Sequence, residues 1–293
     1  MRTTMRTATF LTVLALGAAS PAAEEGKSAP LVIRHGDVPL YDVYAWERWG
    51  NFINAPAGGK TEIPYDAARL QVKVYTYPSG EIRAIRFHDG VRTHRHINQT
   101  DTILYSWQAS RVQFVNGLAT VAYPGDFALH QKGVDHSGEE IRRGGGIDLE
   151  FAMTVPGRHN DPTGFWSFAR EHPVEPAVQW RDGDRYVEAI GATATAAAPA
   201  DAVRYRVRVA AFPGYAAREL HLAKGTILPS RDPTRDRLMF VAGGRVRVTV
   251  GGRNHDLVVE DTARAPVRAD FTIEALEDSL VIQASVPPSP PAK

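Results

Sequence analysis

The chain repeats itself. A shift of 135 residues lays Gly90 on Gly225, Asp101 on Asp236, Gly117 on Gly252 and Asp126 on Asp261. Val115-Asn116-Gly117 falls on Val250-Gly251-Gly252, and Ile147 on Ile282, with no gap across the span. Self-similarity at one fixed offset means that a structural unit is built twice. The periodicity inside each copy says which kind of unit. Leu70, Val72 and Val74 alternate with polar residues, and Ile82 to Phe87 continues the pattern. Tyr205, Val207 and Val209 alternate with Arg204, Arg206 and Arg208. Val246, Val248 and Val250 alternate with Arg245 and Arg247. Period two is the signature of a strand with one face buried, and the arginine rows read as solvated faces. Short runs at this spacing, broken by Gly and Asn, predict two antiparallel β-barrels or sandwiches. Asn116-Gly117 is a hairpin turn.

The boundaries follow from composition. Residues 1–22 have a basic start (Arg2, Arg6), an apolar run from Ala8 to Ala19 and Ser20-Pro21-Ala22 as a small-x-small cleavage site, so they read as a secretory signal peptide. Residues 23–67 form an N-terminal arm with Tyr41, Tyr44, Trp46, Trp49 and Phe52, suited to packing on a barrel. The first barrel spans 68–154 and the second 203–286. Between them, 155–202 is a Pro-rich linker in which Gly164 to Glu171 is predicted as one short helix, capped by Thr163. Ala192 to Ala200 is an Ala/Thr connector, and 287–293 a disordered tail. The mature protein is expected to be periplasmic or secreted. The 293 residues carry a net charge of +1, which gives no electrostatic case for nucleic acid or an anionic membrane as partner. The absence of cysteine excludes disulfides, thiolate ligands and cysteine nucleophiles. No G-x-S-x-G elbow, Walker loop or H-E-x-x-H is present, and Gly144-Gly145-Gly146 reads as a loop between strands.

What remains is a cluster of histidines. His94 and His96 are two apart, so on a strand both would point the same way. Two imidazoles on one face are half of a metal site, and His136 can supply the third. The repeat sharpens the point, because His94 meets Pro229, His96 meets Arg231 and His136 meets Phe271. Only the first copy keeps the imidazoles. His130 is a candidate for the same pocket and His88 for an outer-shell role. His35, His159, His172, His221 and His255 read as ordinary polar residues.

These residues resemble the cupin superfamily, whose first motif runs G(X)5HXH(X)3–4E(X)6G. Here His94-Arg95-His96 is followed by four residues and Asp101. The second motif, G-D-x-x-x-x-P-x-G-x-x-H, matches Gly125-Asp126 through Gly133 to His136. The sequence departs from the pattern in carrying His88 for the opening glycine, Asp101 for the glutamate, Gln131 for the proline and Glu140 for a later asparagine. The resemblance implies an all-β bicupin, with a jelly-roll in each half and the second half degenerate. It implies one divalent transition metal (Fe, Mn, Cu, Ni or Zn) in the first barrel, held by His94, His96, Asp101 and His136. It also implies a small-molecule substrate and, first among reactions, oxygen-dependent oxidation of the dioxygenase type. The alternatives are a non-redox lyase, isomerase or hydrolase, and a non-catalytic binding protein. A homodimer formed through strand edges and the arm is among the assemblies permitted.

Overall fold

The computed structural model describes residues 30–42, 70–91, 93, 96–98, 100–154, 165–168 and 173–288. The expected signal segment, most of the aromatic arm and His94 lie outside them. Two short strands come first, β1 (Val32–Ile33) and β2 (Tyr41–Asp42). The first roll follows as β3 (Leu70–Tyr77), β4 (Gly80–Phe87), β5 (His96–Ile97), β6 (Thr102–Ser106) and β7 (Arg111–Val115). It closes with β8 (Leu118–Ala122), β9 (Phe127–His130), β10 (Asp135–Glu140) and β11 (Gly146–Met153). The connector holds β12 (Phe165–Phe168), β13 (Glu175–Asp182), β14 (Arg185–Ile190) and helix α1 (Ala192–Ala196). The second roll begins with β15 (Val203–Phe212), β16 (Tyr215–Leu222), β17 (Ile227–Ser230), β18 (Asp236–Gly243) and β19 (Val246–Val250). It ends with β20 (Arg253–Leu257), β21 (Thr262–Ala265), β22 (Phe271–Ala275) and β23 (Ser279–Val286). Each roll sets a large sheet against a four-stranded one, in the orders β12-β9-β6-β11-β4-β3-β2 with β5-β10-β7-β8, and β1-β21-β18-β23-β16-β15-β13-β14 with β17-β22-β19-β20.

The 135-residue offset carries β4 onto β16, β7 onto β19, β8 onto β20 and β9 onto β21, end to end. The hairpin turns match as well. Asn116 and Gly117 have φ of 47° and 81°, and Gly251 and Gly252 have 57° and 72°. Two consecutive positive φ values define the turn that suits the twist of a tight hairpin, which is why Asn and Gly occupy it. One part of the repeat reading is corrected. The β10–β11 loop has five residues (141–145) and the β22–β23 loop only three (276–278), so the last strands match at an offset of 133. In register terms Asp148 lies opposite Ser106 as Val281 lies opposite Val241, and Ile147 therefore corresponds to Leu280 rather than Ile282.

The segments outside the repeats are structural members of both rolls. β1 pairs with β21 and β12 with β9, which are equivalent edges. β2 pairs with β3 and β13 with β15, again equivalent edges. Exposed sheet edges are thereby covered. The helix expected over Gly164 to Glu171 is overturned, because Phe165–Phe168 is a strand on the edge of β9. Aromatic residues suit a strand, and an open ladder beside them outweighs a helix of about two turns. The one α-helix among the described residues is α1, in the Ala/Thr connector; His35–Asp37 forms a single 3-10 turn.

Three apolar clusters hold the described residues, the smallest of them Leu70, Val72, Ile85, Phe87 and Val91 inside the first roll. A second is a layer between the rolls, with Tyr75, Ile82, Ile103 and Phe151 from the first and Phe212, Leu238, Phe240 and Ile282 from the second. The third fills the second roll with Val207, Leu220, Met239, Val248, Phe271 and Ile273. Strand β15 shows how alternation serves the two larger ones. Tyr205 and Val207 point into the second roll, whereas Ala210 and Phe212, of opposite parity, reach the layer between rolls. Arg208 shares that second parity, so it is not the solvated arginine expected. Its guanidinium donates to the Gly125 carbonyl of the first roll at 2.6 Å. Arg247 is solvated as expected and pairs with Asp256 and Glu274.

Candidate metal centre

Strand alternation decides what faces the inside of the first roll. In β4, Ile82 and Ala84 belong to the layer between rolls, so Glu81, Arg83, Ile85 and Phe87 face inward. In β11, Leu149 and Phe151 belong to that layer, so Asp148 and Glu150 face inward. In β9, Phe127 and Leu129 point outward to it and His130 points in. Strand β10 contributes His136 and Glu140, and β7 contributes Arg111 and Gln113, all buried. A small cavity of about 20 Å³ lies among Leu104, Arg111, Gln113, His130, His136 and Glu150. That volume holds roughly one water-sized group.

The inward charges are paired. Arg83 reaches Glu81 at 3.0 Å and Glu150 at 3.4 Å. Arg111 reaches Asp148 at 2.5 Å and lies over the Phe87 ring, 4.8 Å from its centroid. Complete burial pushes the Asp148 carboxyl up to about 6, with the Arg111 guanidinium pulling it the other way. The twin roll replaces most of this set with apolar side chains, although Arg83 and Glu150 correspond to Arg218 and Gln283. Arg111, Gln113, His130, His136 and Glu140 correspond to Val246, Val248, Ala265, Phe271 and Ala275. Asp148 corresponds to Val281. Burying ion pairs costs several kcal/mol of desolvation per ion, so they are weak stabilisers compared with apolar packing. The second roll has the same backbone without the Arg111–Asp148 pair, whose positions hold Val246 and Val281. Buried charged groups collected on the inward face of one roll are a candidate functional site. Sequence reasoning missed Arg83, Arg111, Asp148 and Glu150. The available signal was that these charges occupy one parity of strands whose other parity is apolar, in strands covered on both sides.

His136 is buried, and its Nδ1 lies 3.4 Å from the Val134 carbonyl oxygen. A carbonyl only accepts, so that contact assigns the proton to Nδ1 and leaves Nε2 its lone pair, the tautomer a metal ligand needs. In the β10–β5 ladder His136 stands directly opposite His96. The side chain of His96 and the whole of His94 lie outside the described residues. His130 is 1% exposed, and its ring centroid is 4.5 Å from that of His136, with the planes at 67°. His88 is exposed beyond the end of β4, which does not give it the outer-shell role considered for it.

The expected fourth ligand, Asp101, is committed elsewhere. Its Oδ1 accepts the Lys132 N–H at 2.7 Å, and its Oδ2 accepts the Tyr215 hydroxyl, also at 2.7 Å. Tyr215 belongs to the second roll and to the layer between rolls. The twin residue explains the arrangement. Asp236 accepts the Val267 N–H at 2.7 Å, and Val267 is the counterpart of Lys132. Both aspartates pin the turn before β10 or β22. This shared structural task accounts for the acidic residue surviving in a copy that has lost the imidazoles.

A borderline divalent metal prefers imidazole nitrogens, and the donor chemistry of His136, with His130 beside it and His96 opposite it, suits such an ion. Among the described residues no group of three or more His, Cys, Asp or Glu side chains is placed to hold one.

No protein-family model matches the chain, and no curated protein matches it. Solved structures do. The oxalate decarboxylase of Lactobacillus farciminis, as its formate complex, superposes with a TM-score of 0.58 at 11% identity, over 90% of this chain and 88% of that one. Procruciferin, the 11S globulin of Brassica napus, gives 0.55 at 8% identity, over 75% and 80%. The salicylate 1,2-dioxygenase of Pseudaminobacter salicylatoxidans gives 0.53 at 10% identity, over 94% and 90%. At such identities the likeness is one of fold, and a fold shared by a decarboxylase, a dioxygenase and a globulin does not choose a reaction. The chain therefore shares the fold of these structures, two jelly-rolls in tandem, with more buried charge inside the first than inside the second.

Proposed function

We propose that the protein is a secreted, metal-dependent bicupin acting on a small organic molecule, with its metal held in the first roll by His94, His96 and His136. The observation that carries this reading is the contrast between two rolls of one backbone. One is packed mainly with valine, leucine and phenylalanine and keeps no imidazole among them, and the other gathers buried imidazole, guanidinium and carboxylate groups around a cavity. An imidazole donor set suits Fe, Mn, Cu, Ni or Zn, and such an ion, when bound, can polarise a substrate or pass electrons. Oxygen-dependent oxidation is the leading reaction on the motif resemblance, and the fold, shared with a decarboxylase as well as a dioxygenase, leaves a lyase, isomerase or hydrolase as the alternative. The chain's own part is to bind and orient. Arg83 and Arg111 sit where a small anionic substrate would find cations, each now balanced by a carboxylate. The cavity limits the substrate to a few atoms unless the roll opens.

The test is elemental analysis of natively produced protein, followed by oxygen uptake with small organic acids. Close to one transition metal per chain, lost in His96→Ala, is expected. Full metal content in His96→Ala would overturn the assignment. Turnover under strict anaerobiosis would replace oxidation by a lyase, isomerase or hydrolase reaction.

A further inference from the structure

We propose that His130 is a fourth imidazole donor of this centre, in the place that the family resemblance gives to Asp101. The inference rests on the metal reading above and goes beyond it by naming a ligand at a variable position of the second motif. Three observations carry it.

The first is that Asp101 has other work. Each of its oxygens accepts a 2.7 Å hydrogen bond, one from the Lys132 backbone and one from Tyr215 of the other roll. Asp236 performs the backbone half of that task in a roll without the imidazoles. Withdrawing Asp101 to bind a metal would release the β9–β10 turn and leave a buried tyrosine hydroxyl without its acceptor.

The second is where His130 stands. It closes β9 directly opposite Thr102, the residue after Asp101, and its alternation turns it into the cavity that His136 also lines. The third is the spacing of the two rings. A metal–nitrogen bond of about 2.1 Å, with the ring centroid about 1.2 Å further on, puts two imidazoles at right angles on one ion about 4.6 Å apart between centroids. The observed separation is 4.5 Å, with the ring planes at 67°. The separation of the two rings is compatible with neighbouring ligands of one octahedral ion. The twin roll has Ala265 at this position, so the backbone accepts alanine there and His130→Ala is expected to fold.

The experiment titrates metal-stripped, full-length mature protein with cobalt(II) alone, reading its visible absorption, and with copper(II), reading nitrogen hyperfine structure by electron paramagnetic resonance. Wild type, His130→Ala, Asp101→Asn and His136→Ala are compared, with circular dichroism and thermal melting as the check on folding. His130→Ala is expected to bind cobalt at least ~10-fold more weakly and to lose one nitrogen from the copper spectrum. Asp101→Asn should keep both signals within about twofold while melting earlier. A folded His130→Ala with unchanged affinity and spectrum, while His136→Ala loses binding, would sink the proposal and leave the three-histidine centre standing. Loss of the signal in Asp101→Asn alone would restore the aspartate as ligand and sink it too. Failure of wild type to bind either metal would take down the metal reading itself.

Discussion

The Tyr215 hydroxyl of the second roll donates a 2.7 Å hydrogen bond to Asp101 Oδ2 of the first. Both groups are buried. The bond ties the start of β6, next to the candidate centre, to the opening residue of β16 in the roll that has none. Removing the donor leaves a carboxylate oxygen with a partner missing in a place water reaches poorly. Tyr215→Phe is expected to lower unfolding stability by about 1–3 kcal/mol in urea titrations. Metal content should stay unchanged. An unshifted midpoint would mean that the contact is not formed in solution.

Asp236 is the stronger strut of the second roll. It is fully buried, meets Arg264 at 2.6 Å and accepts the Val267 N–H. Taking away one member of such a pair strands the other charge, so Asp236→Ala should cost roughly 3–5 kcal/mol. Denaturant unfolding followed by fluorescence measures it. A cost under about 1 kcal/mol would show that Arg264 finds water.

Asp148 makes a pH prediction. Burial raises its folded-state value from 3.8 to about 6 against the pull of Arg111. Between those two values the folded protein holds a proton that the unfolded chain has released. Stability from this group therefore falls as pH rises from about 4 to about 6 and is level above that. The difference in unfolding free energy between wild type and Asp148→Asn, measured in urea across this window, should move against wild type as pH rises. A flat difference would contradict the raised value.

The twin roll suggests a third kind of variant. His136→Phe installs the residue found at position 271, where the same strand packs it without an imidazole. Metal per chain, measured by elemental analysis, should drop at least ~10-fold, while the melting temperature changes by only a few degrees. Retained metal would remove His136 from the centre.

Much of the fold could be read along the chain because strand alternation and turn chemistry are local. Asn116-Gly117 and Gly251-Gly252 adopt the positive φ values that their residue types permit, and the 135-residue offset reappears strand by strand. The two-residue shortening before β23 escaped notice for a physical reason. A slip of two keeps every side chain on its own face, so Ile147 over Ile282 looked as good as Ile147 over Leu280. The strand at Phe165–Phe168 escaped because its partner, β9, lies far back in the sequence.

The sequence by itself determined a β repeat, one copy with histidines and one without, and therefore which roll to look in. Only the tertiary structure decided what the polar residues do there. Asp101 looked like a ligand by its distance from His96, yet its oxygens are claimed by a turn and by a tyrosine 114 positions away. His130, a variable position of the second motif and only a pocket candidate in the sequence, came to rest against His136. Spacing along a strand fixes the face on which a side chain stands. What meets it there is supplied by segments whose distance in sequence sets no limit on their distance in space.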